Sequence, residues 1–201
     1  MKSYMNNFLS FNGTITDCDN DTSWSNKIIM KLVEEKTKEF LLNQLKAKDI
    51  VIIIHNKLPD FFVELLALWN LGVCVAVLNP RITSSEINNI KNFLQPTLTI
   101  DKDKNYQYEK EIKRNENNFY TIDKNALILF TSGTTGTPKA VVHSFRSLIS
   151  RFSLNNFFIG PNVLFNTLCL LPFHFGHGLI GNCLSAIYNN CNLFILENSL
   201  V

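Results

Sequence analysis

The first half of the chain alternates between short apolar runs and segments with helical periodicity. Residues 50–54 are an unbroken β-branched run, which is typical of a strand buried on both faces. Residues 73–78 form a second apolar run, and residues 97–100 form a third. We expect each of these runs to be a buried strand.

Helices are predicted before and between these strands. Residues 28–45 carry an apolar stripe at helical spacing. Pro59 favours a helix start and Gly72 a helix end. Residues 83–86 read Thr-Ser-Ser-Glu, a capping box that predicts a helix running to about Leu94. An order of strand, helix, strand, helix, strand predicts parallel strands joined by right-handed crossovers.

The pattern is interrupted once and then continues. Residues 101–118 are mostly charged or polar, which predicts a solvated surface excursion. Beyond it the sequence predicts strands at 126–130 and 192–196, a strand or strand pair at 163–171, and helices from Ser144 to about 154 and at 179–188. The expected class is α/β, with a mostly parallel buried sheet and flanking helices.

Composition excludes several classes of protein. With 19 basic and 17 acidic residues the net charge is only +2, so we expect no nucleic-acid partner. Residues 61–78 are long enough to span a membrane, but Glu64, Asn70 and Gly72 divide them into a helix and a strand, so no membrane span is predicted. The five cysteines are odd in number and lack Cys-x-x-Cys spacing, which favours reduced thiols, a cytoplasmic location and no metal-ligating residues.

The segment with the clearest chemistry follows the strand at 126–130 directly. It reads Thr131, Ser132, Gly133, Thr134, Thr135, Gly136, Thr137, Pro138, Lys139. Its hydroxyls are donors, its glycines let backbone N–H groups approach an anion closely, and its lysine adds a full charge. At about 4 Å from a phosphate oxygen that charge is worth about 4 kcal/mol. Composition alone equally allows an ordinary surface turn.

The order of residues in this segment resembles the signature loop of the adenylate-forming superfamily, which includes acyl-CoA synthetases, luciferases and peptide-synthetase adenylation domains. The family pattern of Ser/Thr, Ser/Thr, Gly, Ser/Thr, Thr, Gly, any residue, Pro, Lys is met at every position of 131–139. Weaker resemblance extends over residues 71–80, residues 141–147 and the strand around Ile50.

This resemblance implies an ATP-dependent activation of a carboxylic acid to an acyl-adenylate, followed by transfer of the acyl group to coenzyme A or another thiol. It implies Mg²⁺ with the ATP. In the loop, it implies that Lys139 stabilises the charge of the phosphates as the catalytic residue. The nucleotide-binding residues would be Thr131, Ser132, Gly133, Thr134, Thr135, Gly136 and Lys139.

A second cluster, residues 172–179, resembles a family segment in which Pro, His and a Gly-Leu pair precede a helix beside the acyl pocket. His174 and His177 are the candidate substrate residues, although neither fits the family spacing from Pro172 cleanly. The alternative is that they are hydrogen-bonded core or capping residues. For His55 and His143 we expect this structural role.

The later motifs of the family, for adenine, ribose and the C-terminal domain, do not occur in this sequence. We therefore expect residues 1–201 to be part of an AMP-binding N-terminal domain, from a truncated or split gene. A companion chain that supplies the rest of the enzyme is an expected partner, and the isolated chain is expected to be inactive. Two alternatives stay open: a non-catalytic remnant, or part of an adenylation module that loads a carrier protein.

Overall fold

A computed structural model of the chain describes residue 8 and residues 12–109, 125–131 and 139–197. The strands are β1 (Thr14–Asp17), β2 (Thr22–Ser25), β3 (Ile50–Ile53), β4 (Cys74–Val77), β5 (Leu98–Ile100), β6 (Tyr106–Tyr108), β7 (Asn125–Thr131), β8 (Lys139–Ser144), β9 (Asn166–Cys169) and β10 (Asn192–Ile195). The helices are α1 (Asn26–Leu42), α2 (Asp60–Leu71), α3 (Ser84–Leu94), α4 (Phe145–Ile159), α5 (Pro161–Leu164), a π-helix (His177–Leu184) and α6 (Ser185–Tyr188).

The larger sheet has six strands in the order β6-β5-β3-β4-β7-β8. Its four inner strands run parallel to one another, and β6 and β8 pair antiparallel at the two edges. The predicted α/β class with a mostly parallel sheet is confirmed.

Side-chain alternation along the inner strands explains why both faces of this sheet are covered. In β3, Val51 and Ile53 join the main core, which includes α2, whereas Ile52 lies in a second cluster on the other face. Ile90 and Leu94 of α3 pack in that second cluster. The unbroken apolar runs therefore reflect burial between two helical layers.

The predicted helix ends are confirmed where local chemistry determines them. At the start of α3 the Thr83 hydroxyl accepts from the Glu86 N–H at 3.3 Å, and the Glu86 carboxylate accepts from the Thr83 N–H at 3.0 Å. Gly72 ends α2 in the left-handed conformation, with φ of 78°. Ser144 caps α4 by accepting from the Ser147 N–H at 3.1 Å.

A second sheet, in the order β2-β1-β10-β9, was not predicted. Its strands β1 and β2 read TITD and TSWS, which are short and largely polar. They are strands because β1 pairs with the apolar β10 in parallel and with β2 in a hairpin. The pairing partner of β1 lies far along the chain, so local periodicity does not reveal it.

Three further segments differ from their predicted structure. Residues 101–118 were expected to be a surface excursion throughout, but β6 lies within them and pairs with β5; residues 110–124 lie outside the described part of the chain. The strand or strand pair expected at 163–171 is α5 followed by β9 alone, and the helix expected at 179–188 begins as a π-helix.

The burial of the cysteines and the length and polarity of the helices are the structural features that relate to the predicted cytoplasmic location. Cys74, Cys169, Cys183 and Cys191 are buried free thiols, whereas Cys18 is exposed. Among the described residues, every helix is too short or too polar to cross a lipid bilayer.

Candidate functional site

The connections that leave β3 and β4 lead to opposite faces of the larger sheet. The chain after β3 enters α2 on the main-core face, and the chain after β4 enters α3 on the other face. Such a divergence between neighbouring parallel strands leaves a crevice at their carboxyl ends, where ligands bind in open α/β sheets. A ligand site is therefore expected at the carboxyl edge between β3 and β4.

Two cavities lie at this edge. Cavity A, of about 390 Å³, is lined by segments that end or follow four strands: residues 55–56, 77–81, 169–175 and 195–197. It lies between the carboxyl ends of β3 and β4 in one sheet and those of β9 and β10 in the other. Both sheets thus contribute to one cavity wall.

Cavity B, of about 710 Å³, lies beside it, between the ends of β4 and β7. Thr131, the last residue of β7, lines it together with residues of α3 and β8. The two cavities share a wall made of Val77, Leu78, Asn79, Arg81, His174 and Phe175. The two cavities are therefore adjacent.

The first residue of the predicted phosphate loop, Thr131, lines cavity B. Thr131 and Lys139 are paired Cα partners of the β7–β8 hairpin, and the Thr131 hydroxyl lies 3.5 Å from the Lys139 carbonyl oxygen. Both residues are exposed. The candidate residues Ser132, Gly133, Thr134, Thr135 and Gly136 lie outside the described residues. Thr131 thus lies at the carboxyl end of β7, a strand parallel to β4.

The two candidate histidines are placed differently. His174 is half-buried, lines both cavities and has its ring 4.2 Å from that of Phe175. Burial lowers the pKa of His174, which favours its neutral form. His177 is exposed at the first residue of the π-helix and is absent from both cavity walls. Only His174 is brought to the site.

The position of His174 is set by its neighbours. Phe173 is buried, with its ring 4.7 Å from Phe61 and 5.2 Å from Phe62 of α2. On the other side, a Cβ added to Gly178 would lie 2.7 Å from the Pro172 carbonyl oxygen. Glycine at 178 thus allows the π-helix to pack directly on the segment that carries His174.

His55 belongs to a buried polar network behind cavity A. Its Nε2 lies 2.6 Å from Glu64 of α2, and its Nδ1 accepts from the Lys57 N–H at 3.2 Å. The Tyr106 hydroxyl donates to the other oxygen of Glu64, and the Lys36 ammonium lies 3.2 Å from that hydroxyl. Burial and the neighbouring Glu64 raise the pKa of Tyr106. The expected structural role of His55 agrees with this geometry, although His55 also lines cavity A.

Among the described residues His143 has no partner comparable to Glu64, and it is half-buried beside cavity B. Burial, with a smaller contribution from the charge of Arg151, lowers its pKa. Like His174, it therefore brings an uncharged ring to the cavity wall at neutral pH.

Sequence reasoning missed Arg81 and Glu197 as site residues. Arg81 follows the turn-forming pair Asn79-Pro80, and it lines both cavities. Glu197 follows β10 and lines cavity A, where desolvation and the carboxylates of Asp19 and Asp17 raise its pKa to about 7. The sequence contained a signal for both residues. Each comes just after a predicted buried strand, and the carboxyl ends of parallel strands lie at a common edge of the sheet.

The described residues do not fit a protein-held magnesium site. Mg²⁺ is bound through one or two carboxylates together with substrate phosphates and water. Glu86, the single carboxylate that the described residues contribute to cavity B, already accepts from the hydroxyl and the N–H of Thr83. Among the described residues, no group of three or more His, Cys, Asp or Glu side chains could hold a metal ion.

Several curated proteins are similar in sequence to this chain. The chain is 28% identical over 142 residues to the 2-succinylbenzoate–CoA ligase of Bacillus pumilus, covering 62% of this chain and 29% of that protein. It is 25% identical over 193 residues to the luciferin 4-monooxygenase of Photuris pensylvanica, covering 75% of this chain and 35% of that one. The chain thus spans about a third or less of these curated relatives.

Solved structures share the fold over almost the whole chain. The O-succinylbenzoate coenzyme A synthetase of Bacillus subtilis in complex with AMP superposes with a TM-score of 0.76 at 15% identity, covering 96% of this chain and 54% of that one. ATP-bound MatB from Rhodopseudomonas palustris gives a TM-score of 0.75 at 18% identity, covering 96% and 45%.

The family profile described as "AMP-binding enzyme" matches residues 36–200, which include both cavity walls and the β7–β8 hairpin. This match covers most of the chain and confirms the predicted family. The chain belongs to the AMP-binding enzyme family, and it is similar to acyl-CoA ligases within that family.

Proposed function

We propose that these residues form part of the N-terminal domain of an enzyme that activates a carboxylic acid with ATP and passes the acyl group to coenzyme A or another thiol. The observation that carries the proposal is the position of the two described ends of the signature segment. Thr131 ends β7 at the carboxyl edge of the parallel sheet and lines cavity B, and Lys139 pairs with it at the start of β8.

The loop residues would act by placing and neutralising the phosphates. The hydroxyls of Thr131, Ser132, Thr134 and Thr135 would donate to phosphate oxygens, and Gly133 and Gly136 would let the backbone wrap around them. Lys139 would stabilise the negative charge that develops on the departing pyrophosphate. This is catalysis by position and charge, without a covalent enzyme intermediate.

The proposed reaction has two steps. A carboxylate oxygen of the acid attacks the α-phosphorus of ATP, the bond from that phosphorus to the bridging oxygen breaks, and pyrophosphate leaves. The thiol sulfur then attacks the carbonyl carbon of the acyl-adenylate and loses its proton, and AMP leaves with the bonding electrons. His174, half-buried at the wall between the cavities, would border the acyl group.

Similar proteins support this choice of reaction. One relative is a 2-succinylbenzoate–CoA ligase, and solved neighbours hold AMP or ATP. Because the chain covers only about half of those neighbours, we propose that a companion segment or chain completes the site. We also propose that the enzyme acts in the cytoplasm, on an acid and a thiol free in solution.

Calorimetric titration with ATP and with pyrophosphate tests the phosphate loop. We expect Lys139→Ala to weaken both affinities by about ten- to a hundredfold, as for a lost hydrogen bond to a charged group. Lys102→Ala is the matched control, because Lys102 is an exposed lysine outside both cavity walls. Equal affinities in the two variants would contradict the assignment.

Turnover is measured separately by exchange of pyrophosphate into ATP with a panel of carboxylic acids. Exchange that depends on an added acid supports acid activation by the chain itself. Binding of both ligands without exchange, in the chain alone and with the rest of the enzyme added, would show a phosphate-binding protein that is not a ligase.

A further inference from the structure

Arg81 is the only lysine or arginine among the described residues that line either cavity. It lies on the wall that the two cavities share, at the carboxyl edge of β4. Lys139 is exposed at the hairpin and is not part of either wall. Among the described residues, a full positive charge therefore reaches the junction of the cavities from Arg81 alone.

The Arg81 side chain has no hydrogen bond or ion pair to any other residue that the structure describes, and the residue is exposed. Its backbone is nevertheless held, because its N–H donates to the Asn79 side chain at 2.9 Å. The nearest candidate acid on the following helix, Glu86, is engaged by Thr83 in the capping box. The base of Arg81 is thus anchored, while its guanidinium donors have no partner among the residues that the structure describes.

Among the described residues on the shared wall, Arg81 carries the positive charge, and the other polar side chains are His174 and Asn79. The ring of His174 faces both cavities, and burial favours its uncharged form. Asn79 already accepts from the Arg81 N–H. A guanidinium presents donors in a planar fork that matches the two oxygens of a carboxylate or phosphate.

We propose that Arg81 binds an oxyanion group of a ligand that occupies both cavities at their shared wall. The inference deepens the proposed function, since that oxyanion is then either the carboxylate of the acid or the α-phosphate of the nucleotide. In both cases the reacting group is held at the wall that cavities A and B share, and Thr131, the first residue of the signature segment, lines cavity B.

Binding of simple probes to the full chain tests the inference and separates the two sources. AMP is compared with adenosine, and octanoate with octan-1-ol, by calorimetric titration of the unaltered chain and of Arg81→Gln. Arg81→Gln should weaken binding of AMP or of octanoate by about ten- to a hundredfold and leave adenosine and octanol unchanged. Arg81→Lys should fall between them, because it keeps the charge but loses the fork.

The matched control is Arg146→Gln, an exposed arginine outside both walls, which should change none of these affinities. A loss for AMP assigns the phosphate, and a loss for octanoate assigns the carboxylate. The inference is overturned if the unaltered chain binds neither anion more tightly than its neutral counterpart, or if Arg81→Gln changes neither affinity.

The result is separable from the test of the phosphate loop. If Lys139→Ala loses pyrophosphate while Arg81→Gln changes nothing, the proposed function stands and Arg81 has no such role. If Arg81→Gln loses AMP or octanoate while Lys139→Ala changes nothing, the oxyanion site stands and the loop assignment is wrong.

Discussion

Two carboxyl groups beside cavity A have opposite surroundings. The Glu64 side chain is buried, and its carboxylate accepts hydrogen bonds from His55 and Tyr106. These bonds replace the hydrogen bonds to water that the carboxylate loses on burial. Glu197 lies near Asp17 and Asp19, and these like charges oppose its ionisation. The hydrogen bonds of Glu64 stabilise the connection between β3 and α2. The surroundings of Glu197 place a carboxyl group with a raised pKa on the wall of cavity A.

Stability should fall as Glu197 ionises. Its pKa is raised from 4.5 to about 7 in the folded chain by desolvation and by Asp19 and Asp17, so the folded state binds this proton more tightly than the unfolded state. The resulting stabilisation is complete below about pH 4.5 and is lost as the pH rises through about 7. Because the residue is exposed and therefore screened by solvent, we expect a loss of only about 0.5–1 kcal/mol.

Urea unfolding of Glu197→Gln between pH 5 and pH 8 measures this effect. The variant should be more stable than the unaltered chain at pH 8 and nearly equal to it at pH 5. Glu35→Gln, the same substitution on the exposed face of α1, is the control variant. An unchanged slope in Glu197→Gln would show that Glu197 titrates normally.

The π-helix is the element that shapes the wall between the cavities. It begins at His177, two residues before the buried Leu179, and packs against the backbone of residues 171–172. Wide helical turns of this kind occur frequently at functional sites. Here the packing keeps the preceding segment, with His174, against the carboxyl edge of both sheets.

Gly178→Ala should therefore destabilise the protein by about 1–3 kcal/mol. The added Cβ would lie 2.7 Å from the Pro172 carbonyl oxygen and 2.8 Å from that of Leu171, so backbone must move. Gly176→Ala is the control, because its Cβ would meet only side-chain atoms at ordinary distance, the nearest being 3.5 Å away on Leu129. Equal unfolding free energies for the two variants, measured in urea, would argue against tight packing at 178.

At the scale of the whole molecule, one buried cluster joins the two sheets. It contains Val51 and Val75 of the larger sheet and Ile15 and Leu193 of the smaller. Between them lie aromatic rings in contact, including Phe8 with Trp69 at 5.4 Å and with Tyr188 at 5.4 Å, and Phe152 with Tyr188 at 5.3 Å. A shared core of this kind predicts that both sheets unfold together.

Phe152→Ala should lower the free energy of unfolding by about 3–5 kcal/mol, because the buried ring leaves a cavity in this shared cluster. Phe157→Ala on the same helix is the control, since Phe157 is 80% exposed, and it should cost less than about 0.5 kcal/mol. Unfolding is followed by tryptophan fluorescence and far-ultraviolet circular dichroism. Separate midpoints for the two signals would contradict a shared core.

The sequence by itself determined the parallel layers, the capped ends of α2, α3 and α4, and the family to which residues 131–139 point. These features depend on neighbours within a few positions, such as the Thr83–Glu86 box and the run of β3. Tertiary structure alone decided that β1 and β2 are strands, because their partner β10 lies far along the chain. It also brought His174 rather than His177 to the cavities, and it placed Arg81 and Glu197 there, because a common edge is formed only when separate parallel strands pair.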